Sequence, residues 1–83
     1  MKVTFADRQT ADMTPFRRFR FEERTYILFL DDEDGEPFLL FEENGVYYPA
    51  PDEAVKVLLP DLADMLEGFS HFSCGTGEVT ILE

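Results

Sequence analysis

Cysteine is all but missing. Cys74 stands alone, so an internal disulfide framework, a cysteine-held cluster and a cysteine-based zinc site are excluded. Long apolar runs are missing too: no stretch approaches the ~18 residues of a membrane span. The opening MKVTFADRQT has no apolar segment of signal-peptide length, so the expected setting is reducing and cytoplasmic, with no membrane partner. Cations are scarce, with 7 Lys and Arg against 18 Asp and Glu and a net charge of -11. That balance argues against direct contact with nucleic acid, whose phosphates the chain would repel.

The 83 residues fit one small domain. Nine Phe and three Tyr give it bulky core material, whereas acidic disordered tails are poor in aromatics. The charge is unevenly spread. Residues 1–21 hold five cations against two acids, and residues 22–83 hold two cations against sixteen acids.

The hydrophobic pattern predicts an α+β fold. MKVTF reads as a short strand and ADRQTADMTP as a polar loop. FRRFRFE then places Phe19 and Phe21 on one strand face, with Arg18 and Arg20 on the other. TYILFL, PFLLF and VYY follow, separated by Asp34-Gly35 and Asn44-Gly45, dipeptides that favour two-residue hairpin turns. With both loops two residues long, Leu30 faces Leu39, Leu28 faces Phe41 and Phe41 faces Tyr48. One face of this meander carries Tyr26, Leu28, Leu30, Leu39, Phe41 and Tyr48. The other carries Ile27, Phe29, Phe38, Leu40 and Tyr47. Both are apolar, so both need a cover.

PAPDEAVKVLLPDLADMLEGF reads as helix, with Asp52 and Glu53 in its first turn and an apolar stripe of Leu58, Leu59, Leu62, Met65, Leu66 and Phe69. Pro60 is expected to break it in two, and Gly68 to end it. The tail predicts a last hairpin turning at Gly75-Thr76-Gly77, with Val79 and Ile81 opposite Thr80 and Leu82 across the strand. The expected architecture is an antiparallel sheet of five to six strands with a Pro-broken helix on one face. The second face is expected to be covered by the N-terminal strands or by a second copy in a homodimer.

No catalytic constellation emerges. In DDEDGE a calcium loop centred on Gly35 needs carboxylates at its first and twelfth positions, which are Leu30 and Phe41; one centred on Gly45 starts at Leu40. No metal site and no cofactor are expected. His71 and Cys74 are three apart on a strand, hence on opposite faces. GTG lacks the lysine and following helix of a phosphate loop. FRRFRF interleaves cations and aromatics without the glycines of an RNA-binding signature.

What remains is the acidic field. Glu22, Glu23, Asp31, Asp32, Glu33, Asp34, Glu36, Glu42 and Glu43 gather at strand ends, and Asp61, Asp64 and Glu67 recur along the helix. Spacings of ~4.5 Å per step on a helix approach the ~3.4 Å phosphate repeat of one DNA strand. Ten of these acids, the seven carboxylates from Asp31 to Glu43 and the three on the helix, are the expected partner-binding surface for a basic, nucleic-acid-binding protein.

In size and acidity alone, the chain resembles phage-encoded inhibitors that mimic nucleic acid, including anti-CRISPR proteins, and small acidic immunity proteins that neutralise basic toxins. The resemblance implies a non-enzymatic inhibitor acting as a DNA mimic. The alternatives are a self-associating structural or regulatory subunit, and a surface whose charge serves solubility or salt tolerance.

Overall fold

A computed structural model describes residues 1–74 and 77–81. In chain order it contains β1 (Lys2–Thr4), β2 (Thr10–Phe21), β3 (Arg24–Asp31), β4 (Pro37–Glu43), β5 (Val46–Pro49), α1 (Asp52–Met65), β6 (His71–Cys74) and β7 (Gly77–Thr80). This is a small α+β fold with one helix and a mostly antiparallel sheet. The sheet has seven strands rather than five or six, in the order β1-β2-β3-β4-β6-β7, and β5 pairs with β4 as well. Among the described residues two contacts are parallel: β6 meets β4 at Phe38 and Ser73, and Phe5 bridges Tyr47. β5 and β6 thus share one edge of β4, β5 along residues 40–43 and β6 near Phe38.

The first hairpin departs from the sequence reading. Residues 10–15 are strand, not loop, because Met13 is drawn fully into the core and β1 pairs with residues 10–12. A bulge at Phe16 directly follows Pro15, and bulges are where strands tolerate proline. β2 then returns into β3 through Glu22-Glu23. Both residues have positive φ, 49° and 65°, the conformation of a type I′ turn, which Asn and Gly ordinarily supply.

The Asn44-Gly45 turn forms as expected. Asn44 and Gly45 have φ of 55° and 79°, and Phe41 faces Tyr48. The Asp34-Gly35 turn is longer than expected. Leu28 faces Leu39 and Leu30 faces Pro37, a shift of two residues from the two-residue-loop register. The Gly35 amide donates to the Asp31 carbonyl at 2.8 Å, and only Gly35 takes a positive φ. Aspartates and Glu33 prefer to fold the connection into one helical-type turn. A shift of two preserves facing, so the expected face memberships survive.

Each face has its own core. Tyr26, Leu28, Leu39 and Phe41 pack with Ala54, Leu58, Leu62 and Phe72 under α1. Val3, Met13, Phe29, Leu40 and Tyr47 pack on the opposite side. There β1 and the start of β2 curl over the sheet until Phe5 bridges Tyr47 and the Ala6 amide donates to the Tyr47 carbonyl at 3.1 Å. Strands β1 to β5 therefore close into a small barrel-like curl. The N-terminal strands supply the cover, and the motive for a homodimer through this face falls away.

The helix runs unbroken through Pro60, a second correction. Pro60 is on the exposed side of the helix, while buried Leu58 and Leu62 anchor the turns on either side. The helix starts with the Val55 amide on the Pro51 carbonyl at 3.0 Å. It ends at Met65, before Gly68 with φ of 99°. β6 and β7 form the expected last hairpin, with Phe72 facing Val79. The expected turn at Gly75-Thr76 and the position of Leu82 lie outside the described residues.

Candidate functional site

The hairpins place the expected acids in three regions. β4 runs from Pro37 to Glu43, about 20 Å at the usual strand rise. Asp31, Asp32, Glu33, Asp34 and Glu36 lie at one end of it, Glu42 and Glu43 at the other. Asp61 and Asp64 lie on α1, across a shallow groove from Arg17 and Arg18. Glu67 follows in an exposed turn. The ten residues thus form two poles and a helical flank, and the flank already has cations beside it.

The first pole is partly a structural knot. The Asp31 carboxylate accepts the Glu33 amide at 2.8 Å, and that of Asp34 accepts the Glu36 amide at 3.0 Å. Asp32 accepts the Thr14 hydroxyl at 2.5 Å, and its amide donates to the Asp12 carbonyl. These bonds stitch the turn to β2 and bring in Asp12, which the sequence reading missed. A trough lined by Thr10, Ala11, Asp12, Asp31, Asp32 and Glu33 results. Glu36 approaches His71 at 3.9 Å, and among the described residues no other acidic side chain has a basic one within 4.0 Å.

The second pole is larger than the sequence reading made it. Glu22 and Glu23 sit at the tip of the β2–β3 hairpin, at the same end of the sheet as Glu42 and Glu43. Glu53 from the first helical turn joins them around a concavity that also touches Phe21, Tyr26 and Pro51. Arg24 is the nearby cation, and its guanidinium lies 4.1 Å above the Phe41 ring. Glu-Glu carries no turn signal in sequence, so only the β2–β3 pairing reveals it.

Two described side chains have raised pKa values. Burial pushes the Cys74 thiol up to about 11, with Asp52 adding to the shift and a backbone bond near Ala50 opposing it. At neutral pH it stays protonated and unreactive. His71 points outward from β6 while Cys74 points inward. Burial also raises the Tyr47 phenol, helped by the charge and hydrogen bond of Glu42 and opposed by Arg18. Among the described residues no three His, Cys, Asp or Glu side chains converge on a point that would hold a metal ion. No described helix is long and apolar enough to cross a membrane.

One further feature adjoins the first pole. A cavity of about 470 Å³ opens at the mouth of the barrel-like curl, between Phe5, Met13, Phe38 and Tyr47, with Asp7 and Asp31 on its rim. The Phe5 and Phe38 rings tilt toward each other at 6.1 Å.

The molecule is a one-helix α+β domain with exposed carboxylates concentrated at both ends of its sheet. No known protein family matches the chain, and neither a curated protein nor a solved structure matches it.

Proposed function

We propose that the protein is a non-enzymatic binding protein whose acidic poles occupy a basic, nucleic-acid-binding site on a partner protein, in the manner of a DNA mimic or anti-CRISPR-like inhibitor. One observation carries the reading: the Glu22-Glu23 turn. Two glutamates stand in the left-handed region, where a non-glycine residue costs roughly 1–2 kcal/mol. The same chain uses Asn-Gly in the equivalent turn at 44–45, so an unstrained solution lies within its repertoire. Solubility alone gives no reason to put charge at strained positions, because any exposed residue would serve. A partner that reads carboxylates at this tip does give one.

The spacing of the poles supports the same reading. About 20 Å separates them along β4, on the order of six phosphate steps of a DNA strand. Among the described residues the only basic side chain within 4.0 Å of an acid is His71, beside Glu36, so direct ion pairing offsets little of the poles' charge. Long-range attraction from both poles would speed encounter with a lysine- and arginine-lined groove. Each exposed pair contributes only ~0–1 kcal/mol, so binding needs many of them together.

Affinity capture from the host, followed by competition between this protein and DNA for the captured partner, tests the proposal. Displacement of DNA at stoichiometric protein supports it. Capture of a partner that neither binds nucleic acid nor responds to salt contradicts it.

A further inference from the structure

We infer that the cavity at the barrel mouth seats one large apolar side chain of the partner, and that the residues flanking that side chain are Lys or Arg. The inference rests on the acidic-recognition reading and goes beyond it by assigning where the anchor goes. The cavity and the acidic trough share two lining residues, Ala11 and Asp31, so Asp31 borders both. The cavity is walled chiefly by Phe5, Met13, Phe38 and Tyr47, and the neighbouring trough by Asp12, Asp32 and Glu33.

The volume of about 470 Å³ falls in the usual range for ligand-holding clefts, roughly 300–1,000 Å³. Phe5 and Phe38 are only partly buried, so apolar surface remains for an incoming group to cover. Asp31 sits at the boundary. It pairs across the strands with Met13, which puts it on the inward face, yet it is half-exposed and its carboxylate is held in place by the Glu33 amide. A carboxylate fixed at the lip of an apolar hole selects a ligand that is apolar at its tip and cationic beside it. A purely apolar ligand leaves that carboxylate partly desolvated without a partner, and a purely cationic one leaves the hole unfilled. Interfaces built this way place a buried aromatic or aliphatic anchor inside a charged rim.

The probes are three synthetic peptides, Gly-Trp-Arg-Arg-Gly, Gly-Ala-Arg-Arg-Gly and Gly-Trp-Glu-Glu-Gly, blocked at both ends and titrated into isotopically labelled protein up to millimolar concentration. The expected result is that the Trp-Arg-Arg peptide moves the amides of Ala11, Asp31, Phe38 and Tyr47, and that the other two bind at least tenfold more weakly. Ala11→Leu, which fills the cavity, and Glu33→Lys, an exposed change in the trough, should each weaken the first peptide at least fivefold. Equal binding of the Trp and Ala peptides, with Ala11→Leu silent, overturns the cavity assignment while leaving the acidic-recognition reading standing. Equal binding of the Arg and Glu peptides overturns it by making the hole indifferent to charge, and so does the absence of any shift at millimolar peptide. Phe16, 51% exposed and followed by Arg17 and Arg18, carries the same chemistry within this chain. Concentration-dependent shifts at both Phe16 and the cavity in peptide-free protein would make a second copy the occupant and overturn the assignment to a partner.

Discussion

Replacing Glu22-Glu23 by Asn-Gly should make the protein more stable and a poorer binder at once. The two glutamates have φ of 49° and 65°. Relieving the left-handed strain gains about 1 kcal/mol per position, and the extra freedom of glycine in the unfolded chain takes back roughly 0.5–1 kcal/mol. The net is about 1–1.5 kcal/mol, which for a domain of this size raises Tm by roughly 5–10 °C. Removing two carboxylates from the second pole should at the same time slow association with a cationic partner severalfold. Thermal unfolding by circular dichroism reads the first effect, and binding kinetics against the captured partner read the second. The reverse exchange, Asn44→Glu with Gly45→Glu, should cost about 1–2 kcal/mol or more, because Gly45 has φ of 79°. A Glu22→Asn/Glu23→Gly protein no more stable than the original would refute the strain argument. Greater stability with unchanged binding would detach the strained turn from recognition.

Further outcomes follow from the core and the helix. Phe29→Ala, at 0% exposure in the barrel-side core, should cost about 3–5 kcal/mol in denaturant unfolding, enough to unfold much of so small a domain. Pro60→Ala restores a helical amide in the middle of α1. It should stabilise by about 1–3 kcal/mol with little change in ellipticity, whereas a large gain in helix would mean that Pro60 does break it. Because the Cys74 thiol is raised to about 11 from an ordinary 9.0, its contribution is fully present below pH 9 and is lost as pH rises through 11. Unfolding free energy should therefore fall by about 2–3 kcal/mol across that window, and Cys74→Ala should flatten the fall. Tyr47, shifted the same way, adds to the alkaline loss.

Much of this arrangement is written in local signals. Alternation placed Phe19 and Phe21 on one strand face, and both pack in the helix-side core. Tyr26, Leu28, Leu39, Phe41 and Tyr48 share that core and Ile27, Phe29, Phe38, Leu40 and Tyr47 the other, as expected, since a two-residue register shift leaves faces unchanged. Asn44-Gly45 was legible because its conformation is intrinsic to those residues. Asp34-Gly35 was legible as a turn but not as a long one. Its length is set by side-chain bonds from Asp31 and Asp34 to nearby amides, which compete with the tight hairpin. The strand at residues 10–15 was hidden because its partner, β1, holds only three residues, and Met13 is the one apolar side chain it buries. The helix break failed to appear because tertiary anchoring by Leu58 and Leu62 outweighs the local cost of Pro60.

The candidate site was legible only as composition. The carboxylates were in view, but their division between two ends of the sheet depends on which strands pair. Glu53 and Asp12 joined them through contacts with no sequence signature, and Glu22 and Glu23, legible as strand-end acids, reached the second pole through the β2–β3 pairing. Asp31, Asp32 and Asp34 turned out to hold the turn together, so reversing them would confuse folding with binding. Glu33 and Glu36, with no bond from their carboxylates to a backbone amide among the described residues, are the cleaner targets at the first pole.

The association rate of a pole-neutralised protein is therefore the most direct measurement of the central claim. Glu33→Gln and Glu36→Gln at one pole, combined with Glu22→Asn and Glu23→Gly at the other, remove four charges while sparing the turn aspartates. Against the captured partner, stopped-flow kinetics should give an association rate at least tenfold below that of the original protein at low salt, with the two converging as salt screens the field. An association rate that is unchanged and insensitive to salt in both proteins would contradict recognition through the acidic poles and leave their charge serving solubility.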